Sequence, residues 1–152
     1  MEAVRSFDGT ALRRLRKARG MSHDALASLT STARPNLIAY EKGTRTPSPA
    51  KLGVLARALE VDPLDLMGVT PATATLAQLR ARIGLSRSEV AAELGISRKS
   101  YDSIERGGAR LRPNVGSELA ALLRLSKDEV DAARRREADG QAQASPAEPG
   151  VR

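Results

Sequence analysis

The sequence repeats itself once, and this repeat limits the possible folds more than any other feature. A shift of 64 residues aligns residues 11–66 with 75–130 without a gap and gives thirteen identical pairs. The pairs include glycines, a proline and a glutamate, which a chain rich in Ala, Leu and Arg does not match by chance. We therefore predict two copies of one small domain, unit one (1–68) and unit two (75–138). A linker (69–74) joins them, within a stretch from Gly68 to Ala74 where Gly, Pro and Thr break helical periodicity, and a disordered polar tail (139–152) follows.

The composition predicts that both units are all-α. Leu and Ala dominate the apolar residues, whereas the only aromatic residues are Phe7, Tyr40 and Tyr101. Residues that favour strands are too sparse to build a sheet. Helix periodicity, prolines at helix starts and glycines at helix ends predict five helices in each unit. Their expected ranges are 10–19, 22–29, 34–41, 49–59 and 63–67, then 75–83, 86–93, 98–105, 113–123 and 126–138.

Residue counts argue against several classes of function. The chain has no cysteine and one histidine, His23, which argues against a disulfide scaffold, a Cys-ligated zinc site and a His-based catalytic pair. We expect no enzyme activity, no cofactor and no metal. No apolar run is long enough to cross a membrane, and the N-terminus does not resemble a secretory signal, so we expect a cytoplasmic protein. The net charge of +7 favours a polyanionic partner.

A motif occurs once in each unit, at residues 21–43 and 85–107. Each stretch contains a short capped helix, a tight turn and a second helix that ends in Glu, a basic residue and Gly. This pattern is typical of a helix-turn-helix. Both units resemble the Cro and phage-repressor type of helix-turn-helix domain, also called the xenobiotic-response-element type. The resemblance implies five-helix lambda-repressor-like domains in a transcriptional regulator of bacterial or phage type, whose relatives usually bind operators as dimers.

The resemblance also implies which residues would read DNA bases. The third helix of each unit would lie in the major groove with its N-terminal residues facing base edges. An arginine can pair with guanine through two hydrogen bonds, and an asparagine can pair with adenine in the same way. The predicted base-reading residues are Arg34, Asn36 and Ile38 in unit one, and Arg98, Lys99, Ser100, Asp102 and Ser103 in unit two.

Phosphate contacts are predicted at helix N-termini and in the loop after the third helix. Backbone amides at the start of the second helix can bind an anion. His23 aligns with Arg87, which favours a phosphate-facing role over catalysis. The predicted phosphate-binding residues are Ser22, His23, Lys42, Thr44, Arg45, Ser86, Arg87, Arg106 and Arg110.

Two further features separate structural from binding residues. In the family, an Arg of the first helix commonly pairs with the Glu that ends the third, which implies structural ion pairs Arg16–Glu41 and Arg80–Glu105. The turn of the motif needs a residue that tolerates positive φ; unit two has Gly95 there, but unit one has Ser31, so we expect a less regular turn. We interpret the arginines at 134–136 as a solvated helix end.

The predicted function is therefore sequence-specific binding of double-stranded DNA by a transcriptional regulator that represses by occupying a promoter. Two alternatives stay open. The chain could be an antitoxin-type autoregulator, or one of its two units could bind a protein partner instead of DNA. The sequence does not decide whether one chain acts as a pseudo-dimer or whether two chains pair as a homodimer.

Overall fold

The computed structural model describes residues 2–144, and all regular structure in that range is helical. Unit one contains four α-helices followed by a short 3-10 helix at Pro63–Met67. Unit two contains five α-helices. The α-helices are α1 (Gly9–Ala18), α2 (His23–Leu29), α3 (Arg34–Lys42), α4 (Pro49–Leu59), α5 (Leu76–Arg82), α6 (Arg87–Glu93), α7 (Arg98–Glu105), α8 (Pro113–Leu123) and α9 (Lys127–Ala144). The all-α prediction is confirmed.

Local capping explains why the helices begin where the sequence predicts. The Ser86 hydroxyl accepts the backbone N–H of Glu89 at 3.2 Å, and the Glu89 carboxylate accepts the N–H of Ser86 at 2.7 Å. Ser126 and Glu129 form the same reciprocal pair at the start of α9. Each such box satisfies backbone donors that have no partner inside the helix.

The repeat extends to the backbone conformation. Positive φ recurs at a spacing of 64 residues, including positions where neither residue is glycine. The four matched pairs are Gly20 and Gly84, Ser31 and Gly95, Gly43 and Gly107, and Glu60 and Arg124. Both units therefore adopt left-handed backbone at the same four positions of the repeat, although some of the residues differ.

Large and small side chains exchange places between the two cores. Leu37 in unit one and its counterpart Tyr101 in unit two are both fully buried. One turn later, Tyr40 is half-buried and packs edge-on against Phe7, whereas its counterpart Ile104 is buried. The third helix thus fills a similar core with a Leu–Tyr pair in one unit and a Tyr–Ile pair in the other.

Direct contacts join the two units. α5 packs against α4 and against the 3-10 helix. An ion pair links Arg82 Nη2 to Asp62 Oδ2 at 2.5 Å, and Ala74 in the predicted linker is completely buried. The end of the linker is therefore part of the packed structure, whereas residues 70–73 are exposed.

The last helix continues beyond its predicted end. α9 reaches Ala144, so residues 139–144, which we predicted to be disordered, are helical. Gln and Ala at 141–144 favour helix, and Gly140 alone does not end it. The rest of the predicted tail, 145–152, lies outside the described residues.

Candidate nucleic-acid interface

An exposed arginine begins the third helix of each unit. Arg34 begins α3 and Arg98 begins α7, and their side chains are 58% and 56% exposed. Arg34 Nε lies 3.1 Å from Asp24 Oδ1, and Arg98 Nε lies 3.9 Å from Asp102 Oδ2. Ion pairs of such exposed arginines contribute little to stability. Both guanidinium groups can therefore exchange their carboxylate for another hydrogen-bonding partner.

The other residues of unit one that we predicted to read bases are half-buried. Asn36 Oδ1 accepts a hydrogen bond from the guanidinium group of Arg45, a residue that the sequence assigns to phosphate binding. Ile38 lies on the same helix and is also half-buried. The structure thus brings the loop after α3 into contact with the N-terminal half of α3.

In unit two, the exposed polar residues lie at the start of α7. Lys99 and Ser100 are exposed, and the Ser97 hydroxyl, which caps the helix, donates to Ser100 Oγ at 2.8 Å. Ser103, one turn later, is half-buried. Lys99 has no ion pair within residues 2–144, so its charge is available to a ligand.

Asp102 faces two arginines. In addition to its contact with Arg98, its Oδ1 lies 3.5 Å from Arg87 Nη1. That distance is long, and Oδ1 forms no hydrogen bond with any described residue. The carboxylate is half-buried between the two guanidinium groups, which favours an electrostatic role for Asp102 within unit two over the predicted contact with a DNA base.

His23 and Arg87, which align in the repeat, each contact a carboxylate already. His23 Nε2 lies 2.7 Å from Glu41 Oε2. The backbone N–H of Arg87 donates to Glu2 Oε2 at 3.0 Å, and Arg87 Nε donates to Glu2 Oε1 at 3.3 Å. The sequence did not predict either contact. A phosphate could use only the second ring nitrogen of His23, and it would have to replace Glu2 to reach the backbone N–H and Nε of Arg87.

The remaining residues assigned to phosphate lie at helix caps or in exposed loops. Ser22 Oγ accepts the N–H of Ala25 at 3.0 Å, and Ser86 Oγ accepts that of Glu89, so both serines act as helix caps. The Thr44 hydroxyl donates to the carbonyl oxygen of Ala39. The exposed cations of this set are Lys42, Arg45, Arg106 and Arg110.

A buried arginine joins the first and third helices of each unit. Arg16 Nε donates to Glu41 Oε1 at 2.5 Å, and Arg80 Nε donates to Glu105 Oε2 at 2.7 Å. Each arginine also donates to the backbone carbonyl that precedes the second helix, at 2.8 Å for Met21 and 2.9 Å for Leu85. These contacts hold the first three helices of each unit together.

The charges of these buried pairs shift their pKa values. Burial raises the pKa of Glu41, but hydrogen bonds from Arg16 and His23 outweigh it and hold that pKa below its ordinary value. Burial lowers the pKa of Arg80, but the hydrogen bond and charge of Glu105, together with the charge of Glu2, leave it raised. Glu41 and Arg80 are therefore held in their charged forms.

Tyr101 is the only tyrosine buried in the core of either unit. Its hydroxyl has no hydrogen-bond partner among the described residues. Burial, followed by the nearby charge of Glu105, raises the pKa of this hydroxyl. The neutral phenol therefore belongs to the core of unit two and offers no group to a ligand.

Two arginines of the last helix correct our interpretation of a solvated helix end. Arg134 Nε donates to the Ile104 carbonyl at 2.9 Å, and its Nη2 donates to the Ala109 carbonyl at 2.5 Å. Arg136 Nε donates to the Ala74 carbonyl at 2.8 Å. Both side chains are half-buried. Arg134 binds the loop after α7, and Arg136 binds the end of the linker. Only Arg135 of the three is exposed.

Metal ions and membranes are two other kinds of partner, and the described residues bear on both. In that part of the chain, no group of three or more His, Cys, Asp or Glu side chains could hold a metal ion. No helix there has the length and apolar character to cross a membrane.

Comparison with known proteins identifies two helix-turn-helix domains in tandem. A family model for a helix-turn-helix domain matches residues 9–67 and again residues 72–133. Neither a curated protein nor a solved structure matches the chain. The two matches together cover most of the sequence, including the whole of α1–α3 and α5–α7.

Proposed function

Since the chain belongs to the helix-turn-helix domain family and carries two copies in tandem, we propose that it binds double-stranded DNA and regulates transcription. The observation that carries the proposal is the exposed arginine at the start of the third helix in both units. A helix-turn-helix places this part of its recognition helix against base edges in the major groove. The finer likeness to the Cro and phage-repressor type supports repression by occupancy of a promoter.

Base reading falls to polar residues in the N-terminal halves of α3 and α7. Arg34 and Arg98 can each pair with the O6 and N7 atoms of a guanine, and Lys99 can donate to the same atoms. Asn36 can pair with adenine once Arg45 releases it. Arg45 would then be free for a phosphate, so the contact between Asn36 and Arg45 can be exchanged for two DNA contacts.

Backbone contacts fall to the cations that follow the third helices. Lys42 and Arg45 in unit one, and Arg106 and Arg110 in unit two, are exposed and lie close to the C-terminal ends of α3 and α7. Such contacts fix register and orientation on the duplex but carry no base information. They also make affinity depend on salt, because each contact releases counterions from the DNA.

Selection of binding sites from a random double-stranded DNA pool, followed by footprinting and a salt titration, tests the proposal. We expect a defined site and a fall in affinity of about 10³-fold or more between about 50 and 200 mM salt if six or more phosphates are bound. Absence of binding to any duplex at low salt would rule out the proposed function.

A further inference from the structure

The first residues of the chain cross from unit one to unit two. We call residues 2–8 the N-terminal strap. Two backbone hydrogen bonds fix the strap on unit one. The N–H of Val4 donates to the Pro47 carbonyl at 2.9 Å, and the N–H of Asp8, at the end of the strap, donates to the Leu66 carbonyl at 2.8 Å. Val4 is buried, and Phe7 packs against Tyr40. The start of the strap reaches unit two through Glu2.

Glu2, at the start of the strap, inserts its carboxylate between two arginines of unit two. One oxygen accepts the backbone N–H of Arg87, and the other lies 2.8 Å from Arg80 Nη2 and 3.3 Å from Arg87 Nε. The side chain is only 15% exposed. Burial raises the pKa of this carboxyl, but the hydrogen bond from Arg87 and the charges of Arg80 and Arg87 hold it below its ordinary value. Glu2 is therefore bound as an anion.

We propose that the N-terminal strap is autoinhibitory and that Glu2 occupies the position of a DNA phosphate at Arg80 and Arg87. The inference rests on the proposed function, because it concerns the phosphate contact of unit two. A carboxylate and a phosphate accept hydrogen bonds from the same donors. The donors of Arg87 that face Glu2 cannot bind both anions at once, so DNA reaches this position only when the strap releases it.

The surroundings of Glu2 allow the carboxylate to leave. Arg80 keeps its two hydrogen bonds to Glu105, and Arg87 keeps its contact with Asp102. Release therefore leaves no buried charge without a partner. Because Val4 stays anchored on unit one, the released Glu2 remains tethered and returns when DNA dissociates. The strap thus competes with DNA without holding unit two permanently closed.

A charge-neutral variant measures this competition. We expect Glu2→Gln to bind a mixed-sequence duplex about ten-fold more tightly, because a hydrogen bond to a charged group is worth roughly that factor or more. Glu118→Gln is the matched control: it removes the same charge from an exposed position of α8 that forms no ion pair within the described residues. Its affinity should change by less than about two-fold.

A label on the strap tests its release directly. The chain has no cysteine, so Ala3→Cys, at an exposed position, accepts a single nitroxide spin label. We expect the label to be immobile in the free protein. It should become mobile when the duplex is added, and it should be mobile without DNA when Glu2→Gln is also present.

The results separate this inference from the proposed function. If the wild type binds DNA but Glu2→Gln gains no more affinity than Glu118→Gln, or if the label stays immobile in the complex, the autoinhibitory role is wrong and DNA binding stands. If neither the wild type nor Glu2→Gln binds any duplex at low salt, the proposed function fails and the inference fails with it.

Discussion

His23 in unit one and Arg87 in unit two occupy the same position of the repeat, and each contacts a different carboxylate. In unit one, Glu41 accepts hydrogen bonds from Arg16 and contacts His23, so one carboxylate serves both. In unit two, arginine replaces this histidine, and its guanidinium group takes Glu2 from outside the unit. At this position of the repeat, unit one therefore has a closed local arrangement, whereas the arrangement in unit two also depends on a distant part of the chain.

The motif turns show a second difference with a smaller consequence. Gly95 adopts φ 65°, a left-handed conformation that costs glycine little. Ser31 adopts φ 48° at the matching position. The neighbouring Thr30 is buried, and its hydroxyl donates to the Leu26 carbonyl at 2.7 Å, while Lys51 Nζ donates to the Thr30 carbonyl at 3.1 Å. The less regular turn that we expected in unit one thus consists of a strained residue, Ser31, within a hydrogen-bonded turn.

The largest expected difference between the units concerns their buried arginines. Arg80→Ala leaves Glu105 buried without its guanidinium partner, and we expect it to cost about 3–5 kcal/mol in the free energy of unfolding. Arg16→Ala should cost less, about 1–3 kcal/mol, because Glu41 keeps His23. Urea unfolding measures both.

Arg19→Ala is the control for these variants, since it removes an exposed ion pair with Glu60 and should change stability by less than about 0.5 kcal/mol. Equal losses for Arg16→Ala and Arg80→Ala would contradict the comparison. A variant that melts like the wild type but no longer binds DNA would show that its arginine is a DNA ligand.

The second prediction concerns specificity. The readers of the two units differ, so if one chain docks both units, its site should have two unlike halves. Arg98→Ala should then relax specificity in one half by about 1–3 kcal/mol, and Arg34→Ala in the other. Site selection with both variants measures this. A palindromic footprint would instead show that two chains bind through the same unit.

The third prediction compares the turns. Ser31→Gly should stabilise unit one by about 0.5–1 kcal/mol, because glycine removes the strain of positive φ. Gly95→Ala should destabilise unit two by about 1 kcal/mol, for the opposite reason. A Cβ at Gly95 meets no atom within 4 Å, so a steric clash does not contribute. Thermal melting measures both variants, and a destabilising Ser31→Gly would disprove the strain.

The smallest expected effect is an acid dependence of unit one. The folded state lowers the pKa of Glu41 below 4.5, so its contribution to stability is complete above that pH and is lost as pH falls further. Glu41→Gln should therefore show a smaller loss of unfolding free energy between about pH 6 and pH 3 than the wild type. The exposed control Glu118→Gln should lose as much unfolding free energy over this pH range as the wild type. If it also loses less, the effect comes from the change in net charge and not from the contacts of Glu41.

The sequence by itself determined the helices, their caps and the doubling of the motif. The signals for the helices and their caps lie within a few residues of one another: Ser86 with Glu89, Pro49 at a helix start, Gly43 at a helix end. Such local preferences hold wherever the helix packs. Periodicity failed only at the end of α9, where neither prolines nor apolar residues mark the last turns and the helix-forming residues continue to Ala144.

Only the tertiary structure decided which charges meet. Glu2 and Arg87 are 85 residues apart, and Arg136 donates to a carbonyl 62 residues before it. No spacing in the sequence encodes such pairs, because they depend on how the two units pack and where the strap is anchored. Among the predicted site residues, exposure of Arg34 and Arg98 followed from the motif. The carboxylates that contact His23 and Arg87 could not be predicted from the motif. Whether a surface cation is free depends on which residues the rest of the chain places beside it.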